Sequence, residues 1–173
     1  MKAWTRAVGC LAVIAAADAV LHRRRVPWLA IGLFDHPAHL ATAGLVALNI
    51  RDRPARWTHG LLVGSLLPDL DHVPLALRAE WPSDGDARPM THCLAAIAPV
   101  AAAAALTQSE RLHGTATGML VHFARDVGVG SGVPLLWPLS RRSLKVRYGA
   151  YAGGCVGLAV LALASAYSRS RPL

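Results

Sequence analysis

The chain is a succession of apolar runs, at residues 7–21, 26–50, 60–67, 92–107, 114–127 and 148–167, separated by breaks rich in arginine, proline or glycine. No stretch alternates apolar and polar residues as a half-buried strand would, and no internal repeat is visible. Runs of this length satisfy their backbone groups in apolar surroundings only as helices. The composition agrees: 54% of the 173 residues are apolar and 16% are charged, against about 25% charged in soluble domains. These features predict an all-α, polytopic membrane helical bundle of about five or six helices, built as a single domain over residues 1–173. Disorder and collagen-like structure are excluded by the same apolar content.

Local signals set the expected boundaries. Lys2 and Arg6 precede the first run, whose Ala15-Ala16-Ala17 could serve a signal peptidase, but the equally apolar remainder favours an uncleaved first membrane helix. Asp35-His36-Pro37 interrupts the second run. Proline suits a first helical turn and Asp a cap, so this predicts a short element to Phe34 and a new helix from Pro37 to Ile50. The third run is too short to span alone and is either extended through Trp57 and Thr58 or re-entrant. A polar loop over 69–89 follows, then a helix capped by Thr91 and running to Thr107. The next helix, 114–127, stops at the run Gly128 to Gly132, and a proline-bearing connection over 133–147 leads to the last.

Lysine and arginine number 18 against 10 acids, a formal charge of +8. In a soluble protein this would suggest nucleic acid. Here the basic residues cluster between apolar runs, at Arg23 to Arg25, Arg51/Arg53/Arg56, Arg141/Arg142/Lys145/Arg147 and Arg169/Arg171, the positions that anchor helices in anionic headgroups. Membrane lipids are therefore the expected partners, no nucleic acid is expected, and protein partners are not specified. Basic residues divide almost evenly between the two ends of the bundle, so the positive-inside rule assigns no side. Cys10, Cys93 and Cys155 form no C-x-x-C pair and read as small buried hydrophobes.

Acids and histidines lie where a membrane protein tolerates them least. Asp35 and His39 are four apart at the start of helix 2. Asp69, Asp71 and His72 follow helix 3, His92 opens helix 4, and His122 and Asp126 are four apart near the end of helix 5. With helices alternating in direction, all of these groups fall at one end of the bundle. Asp18 and His22 form a further four-apart pair there, with an interfacial role as the plainer reading, while His59 and His113 fall at the other end. Carboxylates and imidazoles converging in a low-dielectric pocket repel one another and are desolvated without a cation. A nitrogen and oxygen donor set without thiolate fits a divalent metal, Zn²⁺ first, with Mn²⁺ or Fe²⁺ as alternatives. The metal-ligand candidates are Asp35, His39, Asp69, Asp71, His72, His92, His122 and Asp126. Taken alone, each pair also reads as a helix cap, a loop turn or an interhelical hydrogen bond.

The strings Phe34-Asp35-His36-Pro37-Ala38-His39-Leu40-Ala41-Thr42-Ala43, Leu67-Pro68-Asp69-Leu70-Asp71-His72, Arg88-Pro89-Met90-Thr91-His92 and Gly118-Met119-Leu120-Val121-His122-Phe123-Ala124-Arg125-Asp126 resemble the successive motifs of the YdjM-like family of inner-membrane, metal-dependent hydrolases. Pro134-Leu135-Leu136-Trp137-Pro138-Leu139 resembles that family's following segment. The resemblance implies a bacterial inner-membrane, multi-pass protein assigned as a hydrolase, with the substrate undefined. Two departures stand out: Cys93 where the family commonly has Ser, and His36 where it often has an acid.

The expected activity is metal-assisted hydrolysis, with Asp71 or Asp126 as general base. A site at headgroup depth suits a lipid or phosphoester substrate, and Arg88 and Arg125 could hold an anion or anchor the chain at the interface. The alternative is a non-enzymatic membrane protein whose His/Asp site handles metal or protons, or scaffolds a partner. Few polar residues continue in mid-helix, Thr42, Ser65 and Thr117 among them, which disfavours conduction. No G-x-S-x-G is present for a serine hydrolase.

Overall fold

The structure, a computed structural model, describes residues 3–22, 26, 28–50, 52–72 and 92–170. Among these it contains six α-helices: α1 (Ala3–Leu21), α2 (Trp28–Asn49), α3 (Ala55–Gly64), α4 (Leu94–Thr107), α5 (Glu110–Val129) and α6 (Tyr148–Ser170). A 3-10 turn over Leu67–Asp71 follows α3, and an isolated bridge pairs Val133 with Leu144. The all-α class is as the apolar runs predict, and α1 and α6 are each long and apolar enough to cross a membrane.

The second helix corrects one expectation. Pro37 lies inside a continuous α2 and does not open a new helix. Proline removes one backbone donor and crowds the carbonyl four residues back, yet a break would expose several more backbone groups to apolar surroundings, where each is costly. Asp35 accordingly is not a cap. It stands one turn from His39 within the helix, with His39 Nε2 3.5 Å from Asp35 Oδ2.

The chain forms two compact units, Met1–Arg53 with Ala152–Leu173, and Pro54–Tyr151. In the first, α1 packs along α2 through Ala7, Ile14, Ala17 and Asp18. Asn49 Nδ2 donates to the carbonyls of Leu45 and Leu158 at 2.8 and 2.9 Å, fastening α2 to α6. His22 Nδ1 donates to the Asp18 backbone carbonyl at 2.7 Å and so caps the end of α1.

The second unit is organised by one helix pair. Gly60 and Gly64 on α3 meet Gly114 and Gly118 on α5, and each stands against main-chain atoms of the opposite helix. Trp57 and Leu61 of α3 pass Gly114, and Leu61 and Ser65 pass Gly118, so the helices run parallel in constant register. Small residues at four-residue spacing let two backbones approach this closely. Glu110–Val129 starts earlier than the apolar run because Ser109 Oγ accepts from Leu112 N, a helix N-cap. It ends where the glycine run begins, with Gly130 N donating to the Asp126 carbonyl. Below the pair lies a core of Ile97, Met119, Phe123, Val127 and Val133, with Leu67, Val100 and Leu135 against it.

Candidate metal centre

The parallel seam brings the ends of α3 and α5 to one place. Gly114, Gly118, His122 and Asp126 follow one another at four-residue steps, so the imidazole and the carboxylate continue the stripe of the two glycines. There α3 has already ended at Gly64, which leaves room for a side chain. The Ser65 carbonyl, just past the helix end, accepts from His122 Nδ1 at 2.9 Å. The 3-10 turn then presents Asp69 and Asp71, while α4 starts two residues after His92. Within this unit the structure thus gathers Asp69, Asp71, His72, His92, His122 and Asp126, with His92, His122 and Asp126 buried. Asp35 and His39 lie on α2, in the first unit.

Hydrogen bonding fixes which ring nitrogen of His122 faces inward. A carbonyl can only accept, so His122 Nδ1 carries the proton and its Nε2 presents a lone pair when neutral. His92 turns its Nδ1 to Asp71, 3.3 Å from Asp71 Oδ2, at ion-pair distance. Asp71 Oδ1 in turn lies 2.7 Å from His72 Nδ1, so one carboxylate stands beside two imidazoles. These contacts hold the Asp71 carboxyl below its usual range although burial opposes ionisation. Phe123 flanks the rings of His92 and His122, each at 5.8 Å between centroids.

The two Nε2 atoms then face each other and two carboxylate oxygens. They are 3.3 Å apart. Asp126 Oδ2 is 3.1 Å from His122 Nε2 and 3.7 Å from His92 Nε2. Asp69 Oδ1 is 3.5 and 3.7 Å from the same two atoms. A tetrahedral ion with bonds of about 2.0–2.2 Å separates its ligand atoms by about 3.3–3.6 Å. Five of the six separations among these atoms, 3.1 to 3.7 Å, bracket that range, and inward lone pairs so spaced repel unless a cation lies among them. His92 states the same demand as a proton affinity. Burial lowers its pKa, but Asp69, Asp71 and Asp126 outweigh burial and raise it. These residues can hold a metal ion, the buried triad His92, His122 and Asp126 and the half-buried group Asp69, His72 and His92 each within one ion's reach.

Other expectations fare differently. Arg125 is no interfacial anchor, because its side chain is fully buried, donating to the Tyr151 hydroxyl at 2.9 Å and lying over that ring. Thr91 and Arg88 lie outside the described residues, and position 93 is the N-cap of α4. Cys93 makes no side-chain cap hydrogen bond there, which gives the departure from Ser a physical meaning: the missing hydroxyl is a missing cap. The glycine seam was not anticipated from sequence, although Gly60-x-x-x-Gly64 and Gly114-x-x-x-Gly118 are its plain signature.

The profile of the YdjM inner membrane protein family matches residues 31–173. The chain belongs to this family. The match covers the whole second unit, part of the first and every residue of the cluster, and with the two long apolar helices it makes the chain a membrane protein of the inner membrane. No curated protein and no solved structure matches it.

Proposed function

We propose that the chain is a membrane-embedded, metal-dependent hydrolase acting on an ester or phosphoester. The observation that carries this reading is that His92 Nε2 and His122 Nε2 lie 3.3 Å apart and each lies 3.1 to 3.7 Å from Asp69 Oδ1 and Asp126 Oδ2, near the ligand spacing of a tetrahedral ion. In this reading these four residues hold the ion, and its nitrogen and oxygen donors suit Zn²⁺, with Mn²⁺ or Fe²⁺ next. A divalent cation in such a site supplies Lewis acidity, making water a nucleophile near neutral pH and polarising a carbonyl or phosphoryl oxygen.

The protein's own groups do the rest. The Ser65 carbonyl keeps the His122 Nε2 lone pair aimed inward, and Asp71 stands beside His92 Nδ1, the place of an outer partner of a metal-binding histidine. Asp71 has one oxygen beside His72 and the other beside His92 and its pKa is held low, which suits a group that supports the imidazoles better than a proton acceptor. Asp126 both closes the donor set and brings the one almost fully buried carboxylate to it. Phe123 and the core beneath exclude water from the inner face of the rings. A screen of purified, zinc-loaded protein on carboxyl-ester and phosphoester panels tests the assignment. Hydrolysis abolished by chelator and restored by Zn²⁺ supports it, and hydrolysis indifferent to chelator, or none by the metal-loaded protein, refutes it.

A further inference from the structure

The cluster lies close to where α6 begins. Val146 N donates to the Val127 carbonyl at 2.9 Å, one residue beyond Asp126. Val146 is two residues before Tyr148, the first residue of an apolar helix able to cross the membrane. Two residues span at most about 7 Å, so the main chain beside Asp126 is within about 10 Å of the start of that helix. The headgroup layer is about 5–8 Å deep on each side, so the main chain beside Asp126 is within reach of the layer at which that helix begins. The connecting segment has the composition of an interface: Arg141, Arg142, Lys145 and Arg147 are all exposed.

The same end carries leucines that a water-facing mouth would not. Leu70, between Asp69 and Asp71, is 61% exposed, and Leu136 and Leu139 are 59% and 92% exposed. Leu94 N donates to the Leu135 carbonyl at 3.0 Å, which holds this segment beside the start of α4, two residues from His92. Apolar side chains interleaved with ligand residues, next to four exposed cations, match an anionic lipid surface in both charge and polarity. We infer that the His/Asp cluster opens on the bilayer surface and receives a membrane-resident anionic phospholipid, its acyl chain against Leu70, Leu136 and Leu139 and its headgroup drawn in by Arg141 and Arg142.

This rests on the hydrolase reading only for what happens to the lipid; the placement is tested without turnover. A nitroxide is attached at Leu70→Cys, Leu136→Cys or Leu139→Cys, with Cys10, Cys93 and Cys155 replaced by Ala, in nanodiscs of phosphatidylglycerol and phosphatidylcholine. Power saturation is expected to show oxygen exceeding the aqueous nickel relaxant at all three positions. Labels fully accessible to the nickel relaxant would overturn the inference whether or not the protein binds metal. Should the cysteine variants fail to fold, Trp137 serves instead, in a chain whose other tryptophans are Phe: brominated phospholipid should quench it, and absence of quenching overturns the placement. For the substrate, Leu136→Ser with Leu139→Ser should cut turnover of micellar phosphatidylglycerol at least tenfold and leave p-nitrophenyl phosphate unchanged. An equal loss on both substrates, or no loss on the lipid, refutes the acyl-chain contact. Absence of all metal-dependent turnover, with the labels at bilayer depth, would count against the hydrolase reading alone.

Discussion

Gly118→Ala tests the link between the helix seam and the site. A Cβ at this position would stand 2.8 Å from Ser65 N, and nearer still to the Leu61 carbonyl, where ordinary contact begins at 3.4 Å. The helices must therefore separate by at least 0.6 Å here, the difference between 3.4 and 2.8 Å. Because Ser65 is itself the residue pushed, its 2.9 Å hydrogen bond to His122 stretches to about 3.5 Å, the limit at which such bonds count. Overpacking of this kind costs about 1–3 kcal/mol, and loss of a histidine's outer partner weakens metal binding about 10–100-fold. Zinc affinity is read by competition with a chromophoric chelator, and stability by thermal melting in detergent. Gly60→Ala, at the far end of the seam, should destabilise comparably with a smaller effect on zinc. A Gly118→Ala protein with wild-type zinc affinity and wild-type melting temperature would refute the argument that close helix approach sets the imidazole.

Three further outcomes follow from the same geometry. Asp71→Asn removes the negative charge beside His72 and His92, and zinc affinity should fall about 10–100-fold with stoichiometry retained. In metal-free protein His92 has a raised pKa and Asp71 a lowered one. The stability from His92 is present below its ordinary 6.5 and lost as pH rises through the raised value; that from Asp71 is present above its ordinary 3.8 and lost as pH falls through the lowered value. Melting temperature against pH should therefore decline at both ends, and excess Zn²⁺ should remove the alkaline decline by replacing the His92 proton. Cys93→Ser should restore a cap to α4 and raise stability by about 1 kcal/mol, seen as a higher melting temperature with unchanged zinc stoichiometry.

Much of this was legible in the sequence because each signal was local. Apolar runs gave the helices, and four-residue spacing put His122 and Asp126 on one face. The alternation of helix directions foretold that Asp69, Asp71, His72 and His92 would join them. What stayed hidden depends on the partner element or on the main chain. The Ser65 carbonyl that orients His122 is a backbone atom with no residue signature. Asp71 could not be told from Asp69 until the 3-10 turn set one beside the Nδ1 atoms of His72 and His92 and the other beside the Nε2 atoms of His92 and His122. Pro37 signalled a break that surrounding helix overrode, and Arg125 looked interfacial until Tyr151 was placed over it.

The central claim is that the inward faces of His92, His122, Asp69 and Asp126 form a metal site. Elemental analysis of detergent-purified protein, beside His122→Ala, Asp69→Asn and Asp71→Asn, addresses it most directly. The account predicts about one divalent ion per chain, lost in His122→Ala and Asp69→Asn and retained, more weakly held, in Asp71→Asn. Wild-type protein that carries and takes up no metal, or metal content unchanged in all three variants, would contradict it.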